Sequence, residues 1–415
     1  MGERAFVNKS IKARTKNTNR LLKLPFDVPL LLVVMILLVF GLLMVYSASW
    51  DASLRINKPP TYIFWRQVLW IILGLIGAFI LSLIDYHRYE KFLIVIMAGI
   101  ILALIAVLLI NDMRFNSSRA LLGGSIQPAE FAKVVIIIYL SFWLYKRKDD
   151  LVKLSNGLIP LSMIFGFIGG LVILQPDISA AATIVILGIM LFFLAGGDWK
   201  QILLLTAVGL VVGSLVVIAS STGRSRLSGY FASLQDPAMG SYHIKRVFEA
   251  IIKGGVFGVG IGKADTKFTG LPLPHTDSIF AVVAEETGII GGIFVLLLFG
   301  VLLWRGLVIA RRAPDQLGSL LAFGFTGWIL FEALMNIAVI VGLFPITGNA
   351  LPFISAGGSS MIANLAAIGI IMNVARNSVK KETSERNHAN AVVDMRRRNG
   401  GRSVSRSDRF TSPQN

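Results

Sequence analysis

The stretch Leu271-Pro272-Leu273-Pro274-His275-Thr276-Asp277 ends the one long polar interruption of this chain, Ser220 to Thr276, and runs directly into an apolar segment. On either side of the interruption the chain is filled with apolar runs of membrane length, so Asp277 stands at the mouth of a span. A carboxylate costs roughly 2.5 to 3.5 kcal/mol at the centre of a span and less near the interface, and it is a functional candidate by default. Asp277 is therefore the first candidate for chemistry.

Composition fixes the class around that stretch. Hydrophobic residues make up 55% of the 415 and charged residues only 15%, a balance that no ordinary soluble domain shows. Apolar runs of about 20 residues fall at 28–47, 63–84, 93–110, 129–145, 157–175, 178–196, 201–219, 278–304, 317–343 and 357–375. The expectation is an all-α polytopic membrane protein of ten transmembrane helices, with the 220–276 loop between spans seven and eight. Pro176 in Gln175-Pro176-Asp177 breaks the helix between the fifth and sixth spans. The first apolar run is too long for a signal-peptide core of roughly 7 to 15 residues and reads as an anchor. The absence of cysteine excludes disulfides and thiolate metal sites, and the four histidines make no zinc spacing.

The net charge of +17 reports topology as well as partners. Residues 1–27 form a basic tail, and 376–415, with Arg396-Arg397-Arg398, reads as a second, disordered one. Tethered basic segments beside apolar spans mark the cytoplasmic face and touch anionic lipid, so nucleic acid is not the expected partner. An even number of spans puts both tails on one side. Lys146-Arg147-Lys148, Lys200 and Arg311-Arg312 fall on that side too, which places both termini in the cytoplasm and the 220–276 loop outside.

The outer face breaks the charge rule. The long loop carries Arg224, Arg226, Lys245, Arg246, Lys253, Lys263 and Lys267, and the second outer loop adds Arg114 and Arg119. A polyanionic ligand there would explain them, since guanidinium forks and ammonium charges suit phosphate oxygens. A long solvated loop that escapes the rule would explain them equally. Other polar residues gather at the same end. Glu130 and Lys133 are spaced i, i+3 on the fourth span, Asp177 follows Pro176, and Glu285 and Glu286 lie two turns into the eighth span. With Asp277 they are expected to form one outward cleft, although Asp177, Glu285 and Glu286 also read as structural polar groups.

Two glycine-rich stretches complete the pattern. Gly254 to Lys263 is not a nucleotide-binding loop, because Ala264 stands where a metal-binding hydroxyl is needed. Its glycines suit close backbone approach or a re-entrant turn. Leu351 to Ser360, with two prolines and two glycines around Ser355, Ser359 and Ser360, implies non-helical backbone lining a cavity.

Taken in order, these blocks resemble the SEDS family (shape, elongation, division and sporulation). The matching segments are Gly41 to Ser49, Gln127-Pro128-Ala129-Glu130 with Ala132-Lys133, Gln175-Pro176-Asp177, His275-Thr276-Asp277 with Glu285-Glu286-Thr287-Gly288, and Pro352-Phe353-Ile354-Ser355 with Gly357-Gly358-Ser359-Ser360. The likeness runs from about Leu30 to Ala375, giving a ten-helix domain over 28–375. The chain departs from the family pattern at Leu273 (usually Glu), Ser278 (commonly Phe), Ala356 (usually Tyr), Glu332 (frequently Gln) and Ser241-Tyr242-His243 (Gly-Tyr-Gln).

The resemblance implies a peptidoglycan glycosyltransferase of the bacterial cytoplasmic membrane that polymerises lipid II, releases undecaprenyl pyrophosphate and works with a class B penicillin-binding protein among divisome or elongasome proteins. Between the division (FtsW-like) and elongation (RodA-like) branches, the basic tails favour division. The expected catalytic residue is Asp277, as general base of an inverting transfer. The expected substrate-binding residues are Glu130, Lys133, Arg119, Lys245, Arg246, His275, Ser355, Ser359 and Ser360. No cofactor is fixed by the sequence; an assisting divalent cation, Mg or Mn, stays open without a dedicated cage for it. Two other readings stay open as well, a lipid II flippase and a non-catalytic divisome scaffold.

Overall fold

The computed structural model describes residues 26–110, 126–151, 153–155, 157–236 and 240–399. Its helices are α1 (Val28–Ala48), α2 (Trp50–Arg55), α3 (Tyr62–Leu83), α4 (Leu93–Ile110), α5 (Pro128–Lys146), α6 (Leu158–Leu174), α7 (Ile178–Leu194), α8 (Trp199–Ala219), α9 (Ser221–Gln235), α10 (Tyr242–Gly254), α11 (Ile279–Arg311), α12 (Gln316–Ile340) and α13 (Gly358–Asn399). The ten apolar helices coincide with the ten expected segments. Eight of them have the length and hydropathy to cross a membrane, while α6 and α7 have 17 residues each. Seventeen residues rise about 26 Å, a few ångströms short of a hydrocarbon core of about 30 Å, a mismatch that local thinning absorbs.

The helices begin where their sequences supply an acceptor for a bare amide. Asp27 caps α1, taking the Leu30 amide at 3.0 Å, and its carboxylate also meets the Arg305 guanidinium of α11 at 2.5 Å. Asp177 caps α7 and Asp315 caps α12 in the same way. At one end of the bundle Asn373 of α13 donates to the carbonyls of Leu81, Ser82 and Ile84, tying α13 to the last turn of α3.

Two stretches differ from the sequence reading. A disordered tail was expected from Arg376, yet α13 continues through Asn399. Its first turns beyond Arg376 are docked: Ser378 Oγ donates to the Arg312 carbonyl at 2.5 Å and Lys381 Nζ to the Pro314 carbonyl at 2.8 Å, against the α11–α12 connection; residues 400–415 of the expected tail lie outside the described residues. The long polar interruption is also not plain loop. It folds into α9 and α10, with Ser220 and Ser241 as caps.

The glycine-rich run after α10 makes the close approach its sequence suggests. α11 is broken at Gly288, at φ 68°, ψ −168°. The amides of Val259 and Gly260 donate to the carbonyls of Glu285 and Glu286 at 2.9 and 3.0 Å, and the Ile289 amide donates to Gly255 O at 3.0 Å. The run thus takes up backbone groups that the break in α11 exposes. A Cβ on Gly288 would lie 2.3 Å from the Val256 carbonyl, so only glycine fits.

Candidate active site

Asp277 sits on the turn between the polar segment and α11, at the wall of a narrow cleft. The cleft lies among α9, α10 and the non-helical segment after α12, with Tyr230, His243, Phe248, Thr347 and Asn349 among its walls. Among the described residues, Asp277 is the one carboxylate lining it. The carboxylate is close to the Arg226 guanidinium: a Cβ placed on Gly348 would lie 3.3 Å from Asp277 Oδ2 and 3.9 Å from Arg226 Nη2. Gly348 has φ 80°, so glycine answers both the backbone and the space. Arg226 is seated in turn by donating from Nη1 to the Thr347 carbonyl at 3.1 Å, and Tyr230 OH donates to the Leu343 carbonyl at 2.8 Å.

The backbone around Asp277 is held from several directions. Asn336 Nδ2 donates to the carbonyls of Asp277 (2.9 Å) and Asn349 (2.6 Å). Ser355 Oγ donates to the Thr276 carbonyl at 2.8 Å, and the Ala356 amide donates to His275 O at 2.8 Å. Ser278 Oγ donates to the Pro272 carbonyl at 2.7 Å. The expected non-helical stretch near Leu351 to Ser360 therefore forms the seat of the carboxylate-bearing turn.

The 270–276 stretch also lines a second, larger cavity of about 560 Å³, bordered by Arg55, Arg66, Gln67, Trp70, Lys267 and His275. Gln67 bridges into the same seat, donating to Ser355 O at 3.2 Å and accepting from the Gly357 amide at 3.1 Å. Burial pushes the His275 imidazole down to about 4. That ring is therefore neutral near pH 7.

The other predicted residues do not share one cleft. Glu130 and Lys133 pair at 2.8 Å, but Lys133 also meets Glu332 of α12 and lies over the Trp328 ring, and it lines neither cavity. Lys133 and Glu332 are 3% and 4% exposed, so this is an interior triad. Asn336 lies one helical turn beyond Glu332 on α12, so the triad sits beneath the residue that holds the Asp277 carbonyl. Asp177 accepts from Gln127 Nε2 at 2.9 Å, and the Gln127 amide donates to Ser359 Oγ at 2.8 Å. Glu285 accepts from Thr266 and from the Asp265 amide, and Glu286 pairs with Lys267 at 2.7 Å while accepting from Ser47 Oγ. Both bind the preceding loop to α11, as structural groups do. Ser360 accepts from Asn364 within α13. Lys245 and Arg246 lie on α10, where Arg246 pairs with Glu249 at 2.5 Å. Arg119 and Arg114 lie outside the described residues.

The sequence marks Arg226 only as part of a charge excess and His243 only as a departure from the family pattern, and singles out neither Asn336 nor Gly348. One signal was available. Glu332 and Asn336 stand at i, i+4 in an otherwise apolar span, a spacing that puts two polar groups on one interior face. Among the described residues no three His, Asp or Glu side chains converge as a metal cage.

A multi-pass helical membrane protein with a single carboxylate on the turn between its seventh and eighth spans, opening into a cleft beside an arginine, is the class these features define. The chain belongs to the cell cycle protein family of FtsW, RodA and SpoVE, whose model matches residues 28–380. It is 36% identical over 366 residues to stage V sporulation protein E of Bacillus subtilis, covering 85% of this chain and 97% of that one. It is 34% identical to the probable peptidoglycan glycosyltransferase FtsW of Trichlorobacter lovleyi, over 84% of this chain and 93% of that protein. Among solved structures it is similar to the rod shape determining protein RodA of Thermus thermophilus, with a TM-score of 0.62 and 26% identity over 86% of this chain and 98% of that one. It is also similar to a chain of a peptidoglycan synthase complex that coordinates polymerization and crosslinking, with a TM-score of 0.67 and 26% identity over 85% and 98%.

Proposed function

We propose that this chain is a peptidoglycan glycosyltransferase that polymerises lipid II into glycan strands at the outer face of the bacterial cytoplasmic membrane. The observation that carries the reading is the seating of Asp277: one carboxylate, beside Arg226, on a turn clamped by Asn336, Ser355 and Ala356 at the wall of a cleft. A sugar hydroxyl is a poor nucleophile until a base removes its proton, and a fixed carboxylate within hydrogen-bond reach is such a base. Asp277 takes the proton of the acceptor 4-hydroxyl as its oxygen attacks the anomeric carbon of the donor. The bond from that carbon to the pyrophosphate oxygen breaks, configuration inverts, and undecaprenyl pyrophosphate leaves with the electron pair. No covalent enzyme intermediate is needed.

Arg226, whose guanidinium and the Asp277 carboxylate both approach Gly348, is the first candidate to meet pyrophosphate charge. Lys245 and Arg246 lie on α10. Lys133 is assigned instead to the interior triad, where its charge supports the scaffold. A divalent cation has no carboxylate cage among the residues lining the cleft, and no step is routed through one.

The basic connections Lys146-Arg147-Lys148 and Arg311-Arg312 lie at the opposite end from α9 and α10, which supports cytoplasmic termini and an external site. The likeness to a chain of a peptidoglycan synthase complex supports a class B penicillin-binding protein as partner. The likeness to proteins named FtsW supports the division branch. The test is polymerisation of labelled lipid II by the purified protein, with and without its cognate transpeptidase. Glycan strands in either condition support the reading. A folded protein that makes none in both overturns it in favour of lipid transport or scaffolding.

A further inference from the structure

We infer that His243 is a positioning residue for the turn that carries Asp277, acting through Ser278 on the carbonyl of Pro272. The inference rests on reading Asp277 as the reacting carboxylate. His243 lies in the first turn of α10 and lines the same cleft as Asp277. Its Nε2 is 2.7 Å from Ser278 Oγ, and Ser278 Oγ is 2.7 Å from Pro272 O.

The direction of these two bonds follows from counting hydrogens. A serine hydroxyl has one hydrogen, and a proline carbonyl can only accept. The serine hydrogen therefore goes to Pro272, and the hydrogen between His243 and Ser278 belongs to the imidazole. His243 is the Nε2–H tautomer and donates. Burial and the nearby Arg226 charge hold its pKa below the usual histidine value, so the ring is neutral at pH 7 and its Nδ1 carries no proton. The chain of donors runs one way, from α10 through Ser278 into the turn.

Geometry says why the turn needs this link. The other clamps come from α12 and the 355–356 segment, and they hold its far end, at His275, Thr276 and Asp277. The His243–Ser278 pair holds its near end and comes from α10. Between the two ends Leu273 adopts φ 48°. A left-handed conformation costs a non-glycine residue about 1–2 kcal/mol and persists only where the surroundings over-determine it. The Leu273 carbonyl also accepts from the Thr276 and Ser278 amides at 3.2 and 3.3 Å, so losing the near clamp loosens the turn at Pro272 and shifts Asp277 through those bonds. Both His243 and Ser278 are places where this chain departs from the family pattern, and here they are in contact.

The experiment uses the full chain with three single variants, His243→Leu, His243→Gln and Ser278→Ala, and the double His243→Leu/Ser278→Ala. Two readouts are taken: lipid II polymerisation, and hydrogen exchange of the 271–278 amides in the resting protein. The His243→Leu and Ser278→Ala variants should each lose about ten- to a hundred-fold in turnover with little change in KM, since a displacement near 1 Å has that effect. The double variant should fall no further than Ser278→Ala alone. His243→Gln, whose side-chain amide can also donate, should recover most of the loss. Exchange across 271–278 should rise in His243→Leu and return in His243→Gln. Multiplying losses, a glutamine variant as impaired as the leucine variant, or unchanged exchange in His243→Leu would each overturn the inference. The exchange measurement decides it even if the wild-type protein makes no glycan, an outcome that would count against the proposed activity alone.

Discussion

Replacing Lys133 by methionine should destabilise the protein far more than replacing Glu332 by glutamine, although both act on the same buried triad. Lys133 Nζ lies 2.8 Å from Glu130 Oε1 and also pairs with Glu332; Lys133 and Glu332 are buried and Glu130 is mostly so. At that distance and an effective dielectric near 20, one such pair carries ~6 kcal/mol of bare attraction, most of which offsets the loss of hydration. The net effect therefore depends on what is left behind. Lys133→Met leaves two facing carboxylates without their cation, a loss of about 3–5 kcal/mol for a broken buried pair. Glu332→Gln keeps an oxygen acceptor for Lys133 and leaves one cation with one anion, a change of about 1 kcal/mol or less. The difference between the variants, about 2–5 kcal/mol, is roughly one and a half to three and a half decades in the folded-to-unfolded ratio. Thermal unfolding of the detergent-purified proteins reads it, and the triple variant Lys133→Met/Glu130→Gln/Glu332→Gln should regain most of the loss. Equal stability of Lys133→Met and wild type, or Glu332→Gln as the weaker protein, would refute the reasoning.

Two further outcomes follow from the site. Gly348→Ala puts a Cβ 3.3 Å from Asp277 Oδ2 at a φ of 80°, so polymerisation turnover should drop at least tenfold, with a stability loss of about 1–2 kcal/mol read by thermal unfolding. His275, pushed down to about 4 from an ordinary value of 6.5, binds a proton in the unfolded chain before the folded one. Its contribution to stability is whole above pH 6.5 and is lost as pH falls toward 4. Stability should therefore fall by on the order of 2 kcal/mol more in the wild type than in His275→Asn across that window, measured by denaturation at each pH.

Much of the fold was legible because apolar length is a direct reading of bilayer thickness. Each expected span from Val28 to Ala375 has its helix, and Pro176 and the caps Asp27, Asp177 and Asp315 mark starts and stops that local chemistry dictates. Asp277 was legible for the same reason: a charge at the mouth of a span has few cheap explanations. What surrounds it was not. Arg226, His243, Asn336 and Gly348 come from four different segments, and only tertiary contact gathers them around the turn that carries Asp277. Glu130 and Lys133 show a partial reading. Their i, i+3 spacing gave the pair, but the third member of the cluster, Glu332, comes from another helix and only tertiary contact brings it in. The Arg376 tail misled because composition alone does not reveal that Ser378 and Lys381 have carbonyl acceptors waiting at the α11–α12 connection.

The measurement that bears most directly on the central claim is lipid II polymerisation by Asp277→Asn in complex with its cognate transpeptidase, beside wild type. A carboxylate that removes the acceptor proton contributes about 10²- to 10⁴-fold. The account predicts a loss of that size, with complex formation and thermal stability unchanged. An asparagine variant that makes glycan strands at the wild-type rate would contradict it.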